Sequence, residues 1–181
     1  MTDKWVDELD QGPNILETER LALRRLSDAD AEFVLELLNE PSFIHFIGDK
    51  GVRNLADARN YLQNGPCKSY VEHGYGLYLT VLKKDGARAG MCGLLKRDEL
   101  PDPDIGFAFL PAYRMQGYAT EAAAAVLQYA REQLGMSRII AITAADNRKS
   151  IGLLQKIGLS FERMIRLSED ADEIKLFATD T

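Results

Sequence analysis

The stretch Phe107-Ala-Phe-Leu-Pro-Ala-Tyr-Arg-Met-Gln-Gly-Tyr-Ala-Thr-Glu121 decides the fold, because a strand, a loop and a helix follow one another in it. Ile105 to Leu110 has the apolar content of a strand, and Tyr118 to Leu134 is an Ala-rich run typical of a helix. The first N–H groups of a helix lack partners and the helix dipole is positive there, so this start favours a phosphate. Gly117 would let that anion approach the backbone without a Cβ in the way. An ordinary strand-to-helix turn that needs a glycine is the alternative interpretation.

The flanking sequence predicts a sheet built around this unit. Two strand-like runs are joined by Asp85-Gly86, a hairpin signal, so they form an antiparallel pair. The strand that follows the Ala-rich helix is apolar throughout, and a strand-helix-strand order implies a parallel crossover. The other predicted strands are Leu21 to Leu26, Tyr75 to Leu82, Arg88 to Lys96, Arg138 to Thr143, Phe161 to Leu167 and Glu173 to Ala178. The other predicted helices are a helix that ends near Leu38, a helix from Leu55 to Gln63 that Gly65-Pro66 stops, and a helix from Asn147 to Ile157.

Length and charge limit the classes of protein. The chain has 181 residues, which suits one domain, and we expect an N-terminal arm over residues 1–16 and a single domain over residues 17–181. A net charge of -6 argues against nucleic acid as a partner. Two cysteines without metal-ligand spacing predict reduced thiols and no metal site. The sequence shows neither a signal peptide nor a membrane span, so a cytoplasmic protein that does not bind membranes is expected.

A second motif, after the predicted crossover strand, indicates which kind of protein the first stretch belongs to. Ala145-Asp-Asn147-Arg-Lys-Ser150-Ile-Gly-Leu-Leu-Gln-Lys156-Ile-Gly158 follows the predicted crossover strand. Together with the loop from Arg114 to Ala119, it resembles the GCN5-related N-acetyltransferase family. The opening Glu17-Thr-Glu-Arg20-Leu-Ala-Leu-Arg24 resembles the branch that acetylates the N-termini of ribosomal proteins. The resemblance implies an α/β fold: a mixed, mostly antiparallel sheet of about seven strands with a central parallel splayed pair, and about four helices.

The resemblance also implies acetyl-CoA as the co-substrate and no metal. Backbone N–H groups of the strand would bond the acetyl and pantetheine groups, and the loop amides with Arg114 would hold the pyrophosphate. Asn147 matches a family position that contacts the cofactor arm, although capping its own helix is an equal interpretation. The residues predicted to contact acetyl-CoA are Phe107, Phe109, Leu110, Arg114, Met115, Gln116, Gly117, Tyr118, Ala119, Thr120 and Asn147.

The predicted reaction is acetyl transfer to a primary amine, either a protein N-terminal α-amino group or a small-molecule amine. Asp104 stands where many relatives carry a glutamate base, although a solvated loop acid is the alternative. The tyrosine that often serves as the general acid is replaced by Leu154, and Ser150, one turn earlier, is the nearest hydroxyl on that face. Asp104 and Ser150 are therefore the predicted catalytic residues. A module that binds acetyl-CoA without turnover is the alternative function, and the chain is expected to be a monomer or a homodimer.

Overall fold

The protein is built on one sheet of eight strands, in the order β1-β2-β3-β4-β5-β6-β8-β7. A computed structural model describes residues 12–180. The strands are β1 (Asn14–Glu17), β2 (Leu21–Arg25), β3 (Leu77–Leu82), β4 (Arg88–Leu95), β5 (Asp104–Phe109), β6 (Ile140–Ala144), β7 (Leu159–Ile165) and β8 (Ile174–Thr179). The α-helices are α1 (Ala31–Leu38), α2 (Pro41–Phe46), α3 (Leu55–Leu62), α4 (Lys68–His73), α5 (Tyr118–Glu132) and α6 (Arg148–Lys156).

The sheet is antiparallel except at its centre. β5 and β6 run parallel and are paired in one register position, Asp104 opposite Ile140. Beyond this point the two strands carry no further pairing within residues 12–180, so the sheet splays open between them. The predicted mixed, mostly antiparallel sheet with a splayed parallel pair is confirmed.

Two large hydrophobic clusters lie on the two faces of the sheet, and a third, small cluster contains Ile140 and Leu176. On one face α1, α2 and α3 pack over Leu79, Met91 and Leu110. On the other face the small side chains of α5 and Leu154 of α6 pack against strands β2 to β8. Side chains alternate between faces along a strand, so successive residues of β5 belong to different cores. The central strand therefore presents side chains to both layers.

The first helical segments differ from the prediction. The helix from Leu55 does not stop at Gly65-Pro66: a π-helical turn over Gln63–Cys67 leads into α4, and the chain turns only at Gly74, which has φ +78°. A proline disrupts an α-turn because it has no N–H and its ring clashes with the preceding turn, and the wider π-turn accommodates Pro66. The short helix α2 was not predicted, although Pro41 at its first position and the capping Glu40 are standard start signals.

The predicted N-terminal arm is only partly described. Residues 1–11 lie outside the described residues. Within the rest, β1 pairs antiparallel with β2, and Ile15 and Leu16 pack against the main core. Residues 14–16, which were predicted to belong to the arm, therefore form part of an eighth strand of the sheet. No helix within residues 12–180 is long and apolar enough to span a membrane.

Candidate active site

The splay between β5 and β6 leaves one edge of β5 open. The N–H of Leu110 donates to the carbonyl of Ala89 at 3.0 Å, so Leu110 bonds towards β4. Backbone groups alternate in direction along an antiparallel strand, and those of Phe107 and Phe109 therefore point towards the splay. The carbonyl of Leu110 accepts from Tyr113 at 3.0 Å. Leu110 was also predicted to contact acetyl-CoA, but both of its backbone groups already have partners in the protein. The N–H groups of Phe107 and Phe109 face the opening.

A row of unpaired amides lies at the end of this open edge. The N–H groups of residues 115–120 donate no hydrogen bond to any group within residues 12–180. Gly117 is the N-cap of α5 with φ +81°, and Met115 has φ +60°. Positive φ is strained for residues with a Cβ, so the loop holds an unusual backbone shape. Six consecutive free N–H groups at a helix start form a concave site suited to phosphate oxygens.

Contacts from the β1–β2 turn hold this loop in place. The carboxylate of Glu121 accepts hydrogen bonds from the Thr18 hydroxyl at 2.5 Å and from the Arg20 N–H at 3.0 Å, and it forms an ion pair with the Arg20 guanidinium at 2.6 Å. Arg20 also donates to the Gln116 carbonyl at 2.9 Å and lies over the Tyr118 ring, 4.5 Å from its centroid. Glu121 is thus an anchor for the loop, and Arg20 adds a positive charge beside it.

Arg114, predicted to bind pyrophosphate, is engaged by protein groups. Its Nε donates to the Phe109 carbonyl at 2.8 Å, and its Nη2 pairs with Glu40 Oε2 at 2.8 Å. The same carboxylate caps α2 by accepting from the N–H groups of Ser42 and Phe43. Arg114 therefore orders the end of β5 and ties α2 to the loop, and a phosphate would depend mainly on the amides.

Asn147 and Ser150 lie at the start of α6. The Asn147 side chain caps the helix by accepting from the Ser150 N–H at 3.2 Å. The helix-cap interpretation of Asn147 is thus what the structure displays. Ser150 is partly exposed, and its hydroxyl donates to no group within residues 12–180. Leu154 is buried in the main core, so a hydroxyl at its position would be in apolar surroundings.

Asp104 begins β5 and is almost fully buried, with 2% exposure. Both of its carboxylate oxygens accept from Arg97 Nε, at 3.1 and 3.2 Å. Burial raises the pKa of Asp104, and the charge of Arg97 opposes this shift. A raised pKa brings a carboxyl group closer to the range in which a general base works. The solvated loop acid of the alternative interpretation does not describe this residue.

Five residues that were not among the predicted site residues contribute to the site or lie near it: Arg20, Glu40, Lys50, Tyr61 and Arg97. Arg97 and Glu40 are paired with predicted site residues, whereas Lys50 and Tyr61 line a pocket near Arg97. A charged residue next to a predicted strand was the available signal for Arg97. Nothing in the local sequence marked Glu40, because its partner is 74 residues away in the chain.

A family model and several known proteins match this chain over most of its length. The model of the acetyltransferase (GNAT) domain matches residues 20–160. An uncharacterized N-acetyltransferase of Bacillus subtilis, YoaA, is 28% identical over 154 residues, which cover 84% of this chain and 86% of YoaA. A crystal structure of a GNAT-family acetyltransferase from Bacillus anthracis is 27% identical with a TM-score of 0.75, over 90% of this chain and 96% of that one.

A more distant structure shares the fold. RimL, a ribosomal L7/L12 α-N-protein acetyltransferase solved with coenzyme A, has a TM-score of 0.79 at 16% identity, over 92% of this chain and 97% of that one. The family model spans most of the chain, and the fold is shared with these acetyltransferases over nearly the whole of both chains. The chain therefore belongs to the GNAT family of acetyltransferases, as an acetyl-CoA-dependent N-acetyltransferase.

Proposed function

We propose that this enzyme transfers the acetyl group of acetyl-CoA to a primary amine by direct attack, with both substrates bound at once. The acceptor is either a protein N-terminal α-amino group or a small-molecule amine. The observation that carries the proposal is the open edge of β5 leading to six free N–H groups. The open edge of β5 suits the amide-containing pantetheine arm, and the free N–H groups of the loop suit the pyrophosphate. These two groups follow each other in CoA.

The described residues fit acetyl-CoA in a definite way. The N–H groups of Phe107 and Phe109 would pair with the acetyl carbonyl and the pantetheine amides, as a strand pairs in a sheet. The amides of residues 115–120 would hold the pyrophosphate, with Arg20 and Arg114 supplying positive charge nearby. Acetyl-CoA supplies an activated thioester, so the protein has to place, neutralise and orient the amine.

The acceptor must lose a proton before it attacks. Its nitrogen forms an amide bond as the carbon–sulfur bond breaks, and the proton leaves to a base while the thiolate takes one up. An α-amino group, with a pKa near about 8, is often neutral in the cell, whereas a lysine amine near about 10.4 is seldom so. An N–H group at the open edge would stabilise the developing oxyanion.

We assign the base to Asp104 and the proton donor for the thiolate to Ser150. The raised pKa of Asp104, due to burial, suits a base, and its place at the paired end of the splay puts it where β5 and β6 separate. Because Asp104 is buried against Arg97, it would act through a water molecule that reaches the amine. Ser150 is the partly exposed hydroxyl at the start of α6.

CoA should stabilise the folded protein. At about 100 times its Kd, a ligand adds about 2.7 kcal/mol, which is about 5 to 10 °C in Tm for a domain of this size. The measurement is a thermal melt with and without CoA, and adenosine as the control should shift Tm less because it lacks both pyrophosphate and pantetheine. A melt that saturating CoA leaves unchanged would contradict the assignment of the edge and the loop.

Replacing Ser150 by Ala should have a small effect on catalysis. A CoA thiolate is already a good leaving group, so a hydroxyl that polarises or protonates it adds little, and we expect kcat/KM to fall by about tenfold or less. CoA affinity should stay unchanged, because Asn147 caps α6 through the Ser150 N–H and not its hydroxyl. The measurement is steady-state acetylation of one amine by both proteins. A loss of about 1,000-fold with unchanged CoA affinity would instead make Ser150 the principal acid.

A further inference from the structure

A pocket of about 310 Å³ lies on the face of the sheet that α1, α2 and α3 cover. Its walls are the loop that contains Lys50, Gly51 and Val52, and one side of α3 with Tyr61. This size suits a small chemical group and is too small for a folded partner. The pocket is distinct from the loop at residues 115–120, since none of its lining residues belongs to that loop.

Lys50 is the cation of this pocket and has no anionic partner within residues 12–180. Its neighbour Arg53, in contrast, is paired with Asp49. Partial desolvation of the Lys50 amine lowers its pKa, and the charge of Arg97 adds to this effect. Lys50 is an exposed residue, so an incoming anion can reach its ammonium group and would offset the repulsion from Arg97.

Tyr61 adds a hydrogen-bond donor to the same pocket. Its ring packs against the core beneath α1 and α3, and its hydroxyl has no partner among the described residues. Burial raises the pKa of Tyr61, while the charge of Arg97 opposes the shift, so the hydroxyl keeps its proton and can donate. A lysine amine and a tyrosine hydroxyl that both lack protein partners form a donor pair suited to a carboxylate or a phosphate.

One carboxylate also lines the pocket. Asp57 lies in the first turn of α3, and its side chain accepts from the Arg53 N–H at 2.9 Å. The positive end of the helix dipole and this hydrogen bond both offset its charge. Asp57 is thus engaged by the Arg53 N–H, whereas Lys50 has no ion-pair partner among the described residues and stays available to an incoming anion.

Arg97 connects the pocket to the reaction site. Its guanidinium contacts Asp104 at 3.1 Å, and its charge acts on both Lys50 and Tyr61. Arg97 forms an ion pair with Asp104. Among the described residues that line the pocket, Lys50 is therefore the cation without an ion-pair partner. An acceptor with its amine near Asp104 could therefore place a second group in the pocket.

We propose that the pocket formed by Lys50, Tyr61 and α3 binds an anionic group of the acceptor, so that the enzyme prefers small amines whose far end carries a carboxylate or a phosphate. The inference rests on the proposed function, since it concerns the acceptor of that reaction. A peptide with an acidic residue shares this chemistry but exceeds the pocket in size, and it serves below as a comparison.

The test compares matched acceptors. The pairs are β-alanine with β-alaninamide, phosphoethanolamine with ethanolamine, and a peptide with Asp or Asn at its second residue. The proteins are the parent, Lys50→Met, Tyr61→Phe and the control Lys84→Met, which removes an exposed lysine of the β3–β4 turn. For the parent we expect kcat/KM at least about tenfold higher for the anionic member of the small-molecule pairs. Lys50→Met should reduce that preference to about threefold or less, Tyr61→Phe should weaken it, and Lys84→Met should retain it.

The CoA-induced shift in Tm separates failure of this inference from failure of the proposed function. All four proteins should show the same shift, because the pocket does not include the CoA loop. A parent without preference for the anionic members, or a preference that survives Lys50→Met, would overturn the anion pocket while leaving acetyl transfer intact. A preference confined to the acidic peptide would overturn the assignment to small amines. A parent that acetylates no small amine but shows the CoA shift would also overturn it.

Discussion

Replacing Gly117 by Val is expected to reduce CoA affinity by about 100-fold or more, because the free amides around it then lose their approach to phosphate. Gly117 has φ +81°, which costs a residue with a Cβ about 1–2 kcal/mol, and a Cβ there would also lie 3.2 Å from the Arg20 guanidinium. The valine side chain would therefore occupy the space in front of the amides, and the strain at this position would also move the loop backbone. The measurement is CoA affinity by calorimetry, with Tm recorded alongside.

The matched control is Gly135→Val. Gly135 follows the end of α5 with φ +67°, and a Cβ there would meet no atom within 4 Å. It carries a similar backbone strain without touching the loop, so Tm should fall in both variants but CoA affinity in only one. Affinity within a few-fold of the parent in Gly117→Val, or an equal loss in both variants, would show that the loop does not hold the pyrophosphate.

Replacing Asp104 by Asn is expected to lower kcat/KM by about 100-fold, within the range of a general base, and to leave CoA affinity unchanged. Asp104 works as a base only when ionised. Because burial raises its pKa, activity of the parent should begin to fall at a higher pH than for an ordinary carboxyl group, and it should fall as pH decreases. Without the base, turnover depends on the fraction of neutral amine, which decreases about tenfold per pH unit below the amine pKa. The deficit should therefore be greatest near about pH 6 and smallest near about pH 9.

Arg97→Gln distinguishes a base from a structural ion-pair partner. This variant keeps the carboxylate and removes the charge that lowers the pKa of Asp104, so the acid side of its pH profile should move to higher pH. Asp104→Asn should instead lose activity at every pH below about 9. If both variants lose the same activity and the same stability, Asp104 acts only through its pair with Arg97. Parent-like activity of Asp104→Asn over the whole range would place the base elsewhere.

Local signals predicted most of the fold. The Asp85-Gly86 turn, the Ala-rich run of α5 and the apolar β6 each depend on neighbouring residues, and each was predicted within a few residues of its observed bounds. The misses have physical causes. A helix of six residues such as α2 is too short to show a period, and a helix that passes Pro66 through a π-turn contradicts the usual rule for proline.

In the candidate site, too, the features that depend on neighbouring residues were predicted and those that depend on distant residues were not. The amides at residues 115–120 are a property of one strand, loop and helix, so the quoted stretch was enough to predict them. The ion pairs of Asp104 with Arg97 and of Arg114 with Glu40 depend on how distant segments meet. The sequence therefore predicted Asp104 as a site residue, but it predicted neither its burial nor the partner that counteracts the rise in its pKa.

The contact between Glu40 and Arg114 limits which amino-acid substitutions this protein can tolerate. α1, α2 and α3 pack on one face of the sheet and α5 and α6 on the other, so substitutions in the first layer can leave the loop at residues 115–120 unchanged. Glu40 is an exception, because one carboxylate oxygen both caps α2 and holds the arginine at the loop. A change there alters both layers at once. We therefore expect substitutions at Glu40 to be tolerated less than substitutions at the exposed positions of α2.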